Sequence, residues 1–421
     1  MSELLRLATA GSVDDGKSTL VGRLLHDTKN IMIDQYSAVE RASADRGLDQ
    51  TDLALLTDGL RAEREQGITI DVAHRYFATP RRSFILADCP GHVQYTRNTV
   101  TGASTAQLIV ALVDVRHGIL EQTRRHLAVA ALLRVPHVVV ALNKIDLVDY
   151  DRRVVEELAE RVRELGARLG IAELTVIPVS ALLGDNVVER SGRTPWYEGP
   201  SLMEHLERVP VEQPQDDEPG RFPVQYVLRP GSGAGERFRD YRGYAGRVER
   251  GSFRVGDEVR VLPGGQRTRI VGIDLPGGGR AERAGAGRSA TLRLGDEIDV
   301  ARGDLIAADP GPEPVSTLDA TVCWLGDRAL HVGDRLLVKH TTRTVTAIVT
   351  AIDGRLDLAA LDEEQADEEQ ADELALNDIG RIGLTLAEPL CPDRYGDSRT
   401  TGSFILVHPQ AGNTLAAGMV A

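Results

Sequence analysis

With 421 residues, 42% of them hydrophobic and 27% charged, the chain is too long for one ordinary core and has the composition of a soluble globular protein. A formal net charge of −14 argues against nucleic acid as the main partner, because neutralising a phosphate backbone takes clustered Lys and Arg. No apolar run approaches a membrane span, and Cys89, Cys323 and Cys391 have neither metal-ligand nor disulfide spacing.

The first residues, MSELLRLATAG, lack the basic start and cleavage site of a signal peptide and read as a β-strand, so the cytoplasm is the expected compartment. From there to about Leu206 the pattern alternates. Apolar strand-length runs (Leu4–Ala10, Phe84–Ala87, Leu108–Val113, Val138–Leu142, Val176–Val179) are separated by helical stretches such as Lys17–Leu25, Gln122–Leu133 and Asp151–Leu169. Strands apolar throughout and alternating with helices predict an α/β domain whose mostly parallel sheet is covered on both faces. Val209–Gly220, with three prolines and a charge run, reads as a linker.

Beyond the linker the helix signal stops. Short β-prone runs (Pro223–Leu228, Tyr241–Val248, Glu258–Leu262, Thr268–Ile273) recur between glycines. A second series includes Arg335–Val338, Thr344–Ile352, Ile382–Leu386 and Gly402–Val407. Two small antiparallel β-barrels are expected, giving domains at 1–208, 221–312 and 313–421 with the linker at 209–220. The run Asp362–Glu373 repeats EEQAD and reads as a solvated acidic insertion, with an acidic interaction segment as the other reading.

The chemistry lies in the first domain. Gly11, Ser12, Val13, Asp14, Asp15, Gly16, Lys17 and Ser18 spell G-x-x-x-x-G-K-S between a strand and a helix, and Thr19 follows inside the helix. Such a loop turns its N–H groups toward phosphate, and the helix dipole adds positive potential. Lys17 suits the β- and γ-phosphates of a nucleotide, and the Ser18 hydroxyl suits Mg²⁺. In DCPGH, Asp88 can hold the metal shell through water, Gly91 can offer an N–H to a γ-phosphate, and His92 can orient an attacking water; a surface histidine opening a helix is the alternative. Thr69, in GITI after a long polar stretch from about Asp27 to Gln66, suits a mobile switch that completes the metal shell; it is also what a β-prone threonine at a strand start looks like.

NKID places Asn143, Lys144 and Asp146 after an apolar strand. Asp146 suits the N1–H and exocyclic amine of guanine, which adenine does not offer, and such sites discriminate by ~10⁴–10⁵. Asn143 and Lys144 would brace the loops, and Ser180, Ala181 and Leu182 would present the Ala181 N–H to the guanine carbonyl. Five short motifs in order at strand ends predict a GTP-hydrolysing switch. The sequence identifies no arginine finger, so slow intrinsic turnover stimulated by a partner is expected.

These motifs, followed by two barrels, resemble the translational GTPases of the elongation factor Tu and 1-alpha group. The match is more specific to the large GTP-binding subunits of bacterial sulfate adenylyltransferases. It is carried by GSVDDGKSTLVGRLLHDTK (Gly11–Lys29), LRAEREQGITIDVAHRYF (Leu60–Phe77), DCPGHVQYTRNTVTGAS (Asp88–Ser104), RDYRGYAGRVERGSFRVGDEV (Arg239–Val259) and TTGSFILV (Thr400–Val407). Translation factors usually have His where this chain has Ser12 and Asp15.

The resemblance implies that a smaller catalytic subunit transfers the adenylyl group of ATP to sulfate and that GTP hydrolysis drives this uphill step in sulfate assimilation. It also implies that His92 positions water, with Val13 and Ile68 as its apolar gate. Some relatives carry a fused adenylylsulfate kinase, an activity expected elsewhere here because the chain ends in its second barrel. A carrier of aminoacyl-tRNA is the alternative, disfavoured by the excess of acids over bases in the last hundred or so residues. A nucleotide-binding scaffold without turnover is a third.

Overall fold

The computed structural model describes residues 3–29, 72–92, 95–211, 216–230, 241–357, 368–369 and 371–421, with isolated positions between 37 and 53. Thr69 and Ile68 lie outside the described residues, as do most of the expected switch and most of the EEQAD run. The chain forms two compact units: the first is built on Met1–Glu212, and the second comprises Gln213–Leu356 and Glu368–Ala421.

The first unit is an α/β sheet domain. In chain order it runs β1 (Glu3–Gly11), α1 (Lys17–Asp27), β2 (Ala73–Ala78), β3 (Arg82–Asp88), α2 (Thr96–Ser104), β4 (Leu108–Asp114), α3 (Glu121–Leu132), β5 (His137–Asn143), α4 (Arg152–Arg168), β6 (Leu174–Pro178) and α5 (Leu202–Arg208). The sheet order is β2-β3-β1-β4-β5-β6. All neighbours are parallel except β2, which returns antiparallel along β3.

The sequence explains this placement. Leu108–Asp114 and His137–Asn143 are buried at every position, as central strands covered on both faces must be. Helix α4 starts where the Asp151 side chain accepts the Arg153 N–H, and it buries Val155, Leu158, Val162 and Leu165 along one stripe. Helix α5 opens with a capping box between Ser201 and Glu204. Leu5, Leu7, Leu20, Leu24, Phe84 and Leu86 fill the core under β1, and Phe84 stacks on Phe77 with centroids 4.6 Å apart. No helix among the described residues is long and apolar enough to cross a membrane.

The second unit holds two closed antiparallel barrels. The first comprises β7 (Arg221–Leu228), β8 (Gly243–Arg247), β9 (Glu258–Leu262), β10 (Gln266–Asp274), β11 (Ser289–Leu294) and β12 (Leu305–Ala307). They pair in the ring β9-β12-β7-β8-β11-β10 and back to β9, around Phe222, Tyr244, Phe253, Val261 and Leu292. The second comprises β13 (Val315–Trp324), β14 (Arg335–His340), β15 (Arg343–Leu356), β16 (Ile379–Leu390), β17 (Ser403–Val407) and β18 (Thr414–Val420). Its ring is β14-β17-β18-β13-β16-β15, closing on β14. Closure leaves neither sheet with a long free edge.

Within this unit a buried ion pair joins the barrels: Arg221 on β7 lies 3.1 Å from Asp393, with 5% and 8% of their side chains exposed. Asp393 also accepts the Thr401 hydroxyl (2.6 Å) and faces Arg250 at 3.4 Å. Where the acidic run is described, Glu368–Glu369 pairs as a short strand with Arg355 and Leu356 instead of remaining open loop.

Candidate functional site

The predicted site residues that the structure describes gather at the C-terminal edge of the parallel sheet. β1 runs directly into the loop Gly11–Gly16, which passes into α1. Gly16 caps that helix at φ 92°, a left-handed conformation that suits glycine. Asp14 is also left-handed (φ 66°), which short polar side chains tolerate. The turn is pinned from inside: the Asp15 carboxylate, 3% exposed, accepts the Ser12 N–H at 2.8 Å. Burial nevertheless raises the Asp15 pKa, against the lowering effect of that hydrogen bond and of Lys17.

Lys17 folds back over the loop and donates to the carbonyls of Gly11 (2.9 Å) and Ser12 (3.2 Å). Burial lowers its pKa, while Asp88 and Asp15 work in the opposite direction. Ser18 and Thr19, half-buried, follow in the first turn of α1, and Val13 is exposed at the loop tip.

Asp88 closes β3, in register with Thr9 of β1, and the Thr9 hydroxyl donates to its Oδ1 at 2.8 Å. Gly91 is buried against the phosphate loop: a Cβ there would meet the Gly11 carbonyl oxygen at 2.6 Å and also the Lys17 ammonium. His92 is half-buried, its ring edge-on to Tyr95 with centroids 6.2 Å apart.

The end of β5 ties the remaining loops together. Asn143 Nδ2 donates to the Asp15 carbonyl (2.7 Å), and its Oδ1 accepts the Ala181 N–H (2.9 Å). Lys144 reaches the Asp14 carbonyl and lies 2.9 Å from Asp114 at the end of β4. Asp146 sits in the short 3₁₀ turn Ile145–Val148. Ser180, buried after β6, accepts the Leu183 N–H on its hydroxyl (3.2 Å), and Leu182 is exposed.

The Ala181 N–H, expected to face a guanine carbonyl, is donated to Asn143, whose side chain bridges the phosphate loop and the loop after β6.

Two buried oxygens of the site, Ser12 Oγ and Asp146 Oδ1, have no hydrogen-bond partner among the described residues. Buried polar atoms are normally satisfied, so an orphaned acceptor beside a loop of N–H donors marks a ligand site. The donor set fits a nucleotide phosphate and a hard cation: loop amides, an ammonium, a hydroxyl and a carboxylate.

Sequence reasoning missed three contributors. Asp114 is 1% exposed; burial alone would raise its pKa, but Arg116 and Lys144 overcome this and hold the carboxyl well below the usual range. The signal was available, since Asp114 ends an apolar strand as Asp88 does. His126 on α3 is fully buried and hydrogen-bonded to the Gly11 backbone, and Arg23 on α1 holds the carbonyls of Ala181 and Leu182. His126 belongs to no motif, and Arg23, though within the Gly11–Lys29 stretch, has no role that its spacing announces.

Comparison with known proteins agrees with this geometry. Residues 2–211 match the family described as the elongation factor Tu GTP binding domain, and residues 317–421 match the GTP-eEF1A C-terminal domain-like family. The chain is 54% identical over 422 residues to the bifunctional enzyme CysN/CysC of Mycobacterium tuberculosis (strain ATCC 25618 / H37Rv), covering 100% of this chain and 67% of that protein. It is 45% identical over 421 residues to sulfate adenylyltransferase subunit 1 of Cellvibrio japonicus (strain Ueda107), covering 99% and 86%. Sulfate adenylyltransferase subunit 1 of Bacteroides fragilis (strain YCH46) shows the same identity and coverage. With identity of this order along the whole of its length, the chain belongs to the sulfate adenylyltransferase subunit 1 family, within the translation-factor-like GTP-binding proteins.

Proposed function

We propose that this chain is the GTP-hydrolysing subunit of a sulfate adenylyltransferase, and that it works beside a smaller subunit binding ATP and sulfate. The catalytic partner would form adenosine 5′-phosphosulfate and pyrophosphate. That sulfate–phosphate anhydride is uphill to make, so GTP hydrolysis here is the driving reaction. In this reading 1–208 is the GTPase domain, 209–220 a linker, and 221–312 and 313–421 the two barrels. The protein acts in sulfate assimilation in the cytoplasm.

The observation that carries the GTPase reading is the unpartnered, buried Oδ1 of Asp146. A carboxylate there accepts from the N1–H and 2-amino group of guanine, and adenine would leave it stranded. Asn143 and Lys144 brace the loop, and Ser180–Leu182 cover the base. At the other end, Gly11, Ser12, Val13, Asp14, Asp15 and Gly16 wrap the phosphates, Lys17 neutralises them, and Gly91 approaches the terminal one.

Mg²⁺, held by Ser18 and Thr69 with Asp88 behind, supplies Lewis-acid neutralisation of the phosphate oxygens when bound. Phosphoryl transfer asks the protein for positioning and charge more than for covalent chemistry. In this reading His92 orients the attacking water, and the family resemblance assigns Val13 and Ile68 as its apolar gate. Intrinsic turnover is slow, on the order of 10⁻⁴ s⁻¹ for unassisted GTPases, and the partner accelerates it.

The test is to co-purify the chain with a candidate small subunit and measure GTP hydrolysis with and without ATP plus sulfate. Acceleration by both substrates together is expected. Hydrolysis indifferent to them, with tight binding of aminoacyl-tRNA, would defeat the proposal.

A further inference from the structure

In the first barrel Arg221 faces Asp393, Arg260 faces Asp309, Arg283 faces Asp216 and Arg293 faces Asp274, each within ion-pair distance. Arg229 and Arg242 differ. Among the described residues neither guanidinium pairs with a carboxylate, and the Arg242 Nε is buried without a hydrogen-bond partner.

The strand register brings these two together. β7 and β8 run antiparallel, with Val227 opposite Tyr244 and Leu228 opposite Gly243. One step further along the same register sets Arg229 against Arg242, where the ladder ends. Like charges directly opposite one another repel, so the fold places a destabilising pair at this end of the barrel.

Beneath the pair lies Tyr244. It follows Arg242 by two residues, the spacing at which side chains of an extended chain return to one face. Its ring enters the barrel core on a strand flanked by Leu292 of β11 and Val227 of β7. The Arg242 guanidinium carbon lies over that ring, 5.4 Å from the centroid. Tyr244 is 1% exposed, yet its hydroxyl has no hydrogen-bond partner among the described residues. A buried tyrosine normally finds a partner for its polar tip. Burial raises the Tyr244 pKa, Arg242 and Arg229 act to lower it, and Asp299 adds a further rise. The hydroxyl therefore sits in the field of both guanidinium groups.

A phenol O–H and a guanidinium N–H, both buried and unpartnered, with a second guanidinium across the ladder, make a set of donors that calls for an acceptor. Two cations require that acceptor to be an anion. The donors come from two strands and from the core below, so they suit oxygens disposed in several directions. A tetrahedral oxyanion offers these, whereas a planar carboxylate presents two. Arg242 is half-buried and covers the hydroxyl, and a side chain of this length that no carboxylate ties down can turn aside to admit an ion.

We propose that Arg229, Arg242 and Tyr244 form a binding site for a tetrahedral oxyanion of the phosphate or sulfate class at this end of the first barrel. Asp299 is the opposing charge that limits its affinity. The site belongs to the second unit and does not rest on the GTP reading.

The full chain, with GDP present to occupy the phosphate loop, is titrated calorimetrically with inorganic sulfate, inorganic phosphate and adenosine 5′-monophosphate. Wild type should bind at least one of them at a single site. Tighter binding of the monophosphate than of phosphate identifies an esterified oxyanion as the ligand, and weaker binding identifies the free ion. Arg242→Met should weaken the anion by at least about tenfold, the effect of one charge-assisted hydrogen bond, and Tyr244→Phe by about fivefold. Asp299→Asn should tighten it. Without anion, Tyr244→Phe should unfold at no lower urea concentration than wild type, because the hydroxyl it loses has no partner; this variant carries the test if Arg242→Met does not fold. Absence of binding to wild type, or equal binding by wild type and the folded variants, overturns the site. A Tyr244→Phe protein less stable than wild type without anion overturns it as well, since the hydroxyl would then have a partner within the chain.

Discussion

Gly91 packs so closely on Gly11 that a methyl group added to it would lie 2.6 Å from the Gly11 carbonyl oxygen. The neighbour is backbone at the root of the phosphate loop and cannot rotate out of the way. Gly91→Ala must therefore push the loop after β3 away from the nucleotide loop. A displacement of about 1 Å at a reacting centre costs about a hundredfold in rate. Single-turnover GTP hydrolysis by Gly91→Ala should fall by about that factor while the far-UV spectrum stays native; a wild-type rate would show that the two loops separate without consequence.

Asp146 is the residue on which the choice of nucleotide turns. Its unpartnered Oδ1 calls for a donor, and Asn at this position would offer an amide N–H instead. Asp146→Asn should bind GTP far more weakly and favour xanthosine triphosphate, whose 2-oxo group accepts that N–H. Competition of the two nucleotides for wild type and variant measures the change. Unaltered preference would remove Asp146 from the base site.

His92 carries the hydrolysis step in the proposed function. It stands beside Gly91, half-buried and edge-on to Tyr95. Removing a group that positions or activates the attacking water typically costs about 10²–10⁴ in rate. His92→Ala should lose turnover by such a factor with GTP affinity nearly intact, read as kcat against the dissociation constant. Loss of binding instead would make the histidine structural.

The sheet edge is legible in the sequence because its strands are apolar runs ending in chemistry-bearing residues: Leu108–Asp114 and His137–Asn143 are buried throughout. β2 is less legible. Ala73–Ala78 lies at the edge, alternates in exposure and pairs antiparallel, so six residues carry only a weak period-two signal. Helix α2 carries Thr96, Thr99 and Thr101, which disfavour a helix on propensity, and it owes its form to packing of Val100 and Ala103. Lys17 and Asp146 announce themselves through motifs. Arg23 does not, since its role depends on a carbonyl 158 residues away. The contact between Asn143 and the Ala181 N–H is hidden for the same reason, since local spacing cannot reveal a side chain reaching across 38 residues.

The junction of the barrels gives a stability prediction. Asp393 is buried against Arg221, Arg250 and Thr401, so Asp393→Ala leaves buried guanidinium charge without its counter-ion. Breaking such a pair typically costs about 3–5 kcal/mol. Carbonyls of Pro219, Gly220 and Pro310 still accept from Arg221, which places the loss at the lower end. Arg269→Ala, which breaks the exposed pair with Glu258, should cost less than about 1 kcal/mol. Chemical denaturation of the two variants decides, and equal losses would contradict the structure.

His126 supplies the pH prediction. It is 1% exposed under the phosphate loop, bonded to the Gly11 backbone and near Gln122, with Lys17 and Arg125 facing it. Burial first, and then Lys17, push its pKa down to about 3, against the opposing effect of the Gly11 hydrogen bond. The folded chain therefore keeps this imidazole neutral while the unfolded chain protonates it near pH 6.5. Between those values the unfolded state binds the extra proton, so the stability contribution falls as the pH drops below about 6.5. His126→Gln keeps a polar side chain of similar reach that cannot take up the proton. Its unfolding free energy should lose about 2 kcal/mol less than wild type between pH 7 and pH 5. Urea denaturation at the two pH values measures the difference, and identical pH dependence in both proteins would mean that His126 is protonated in the folded state.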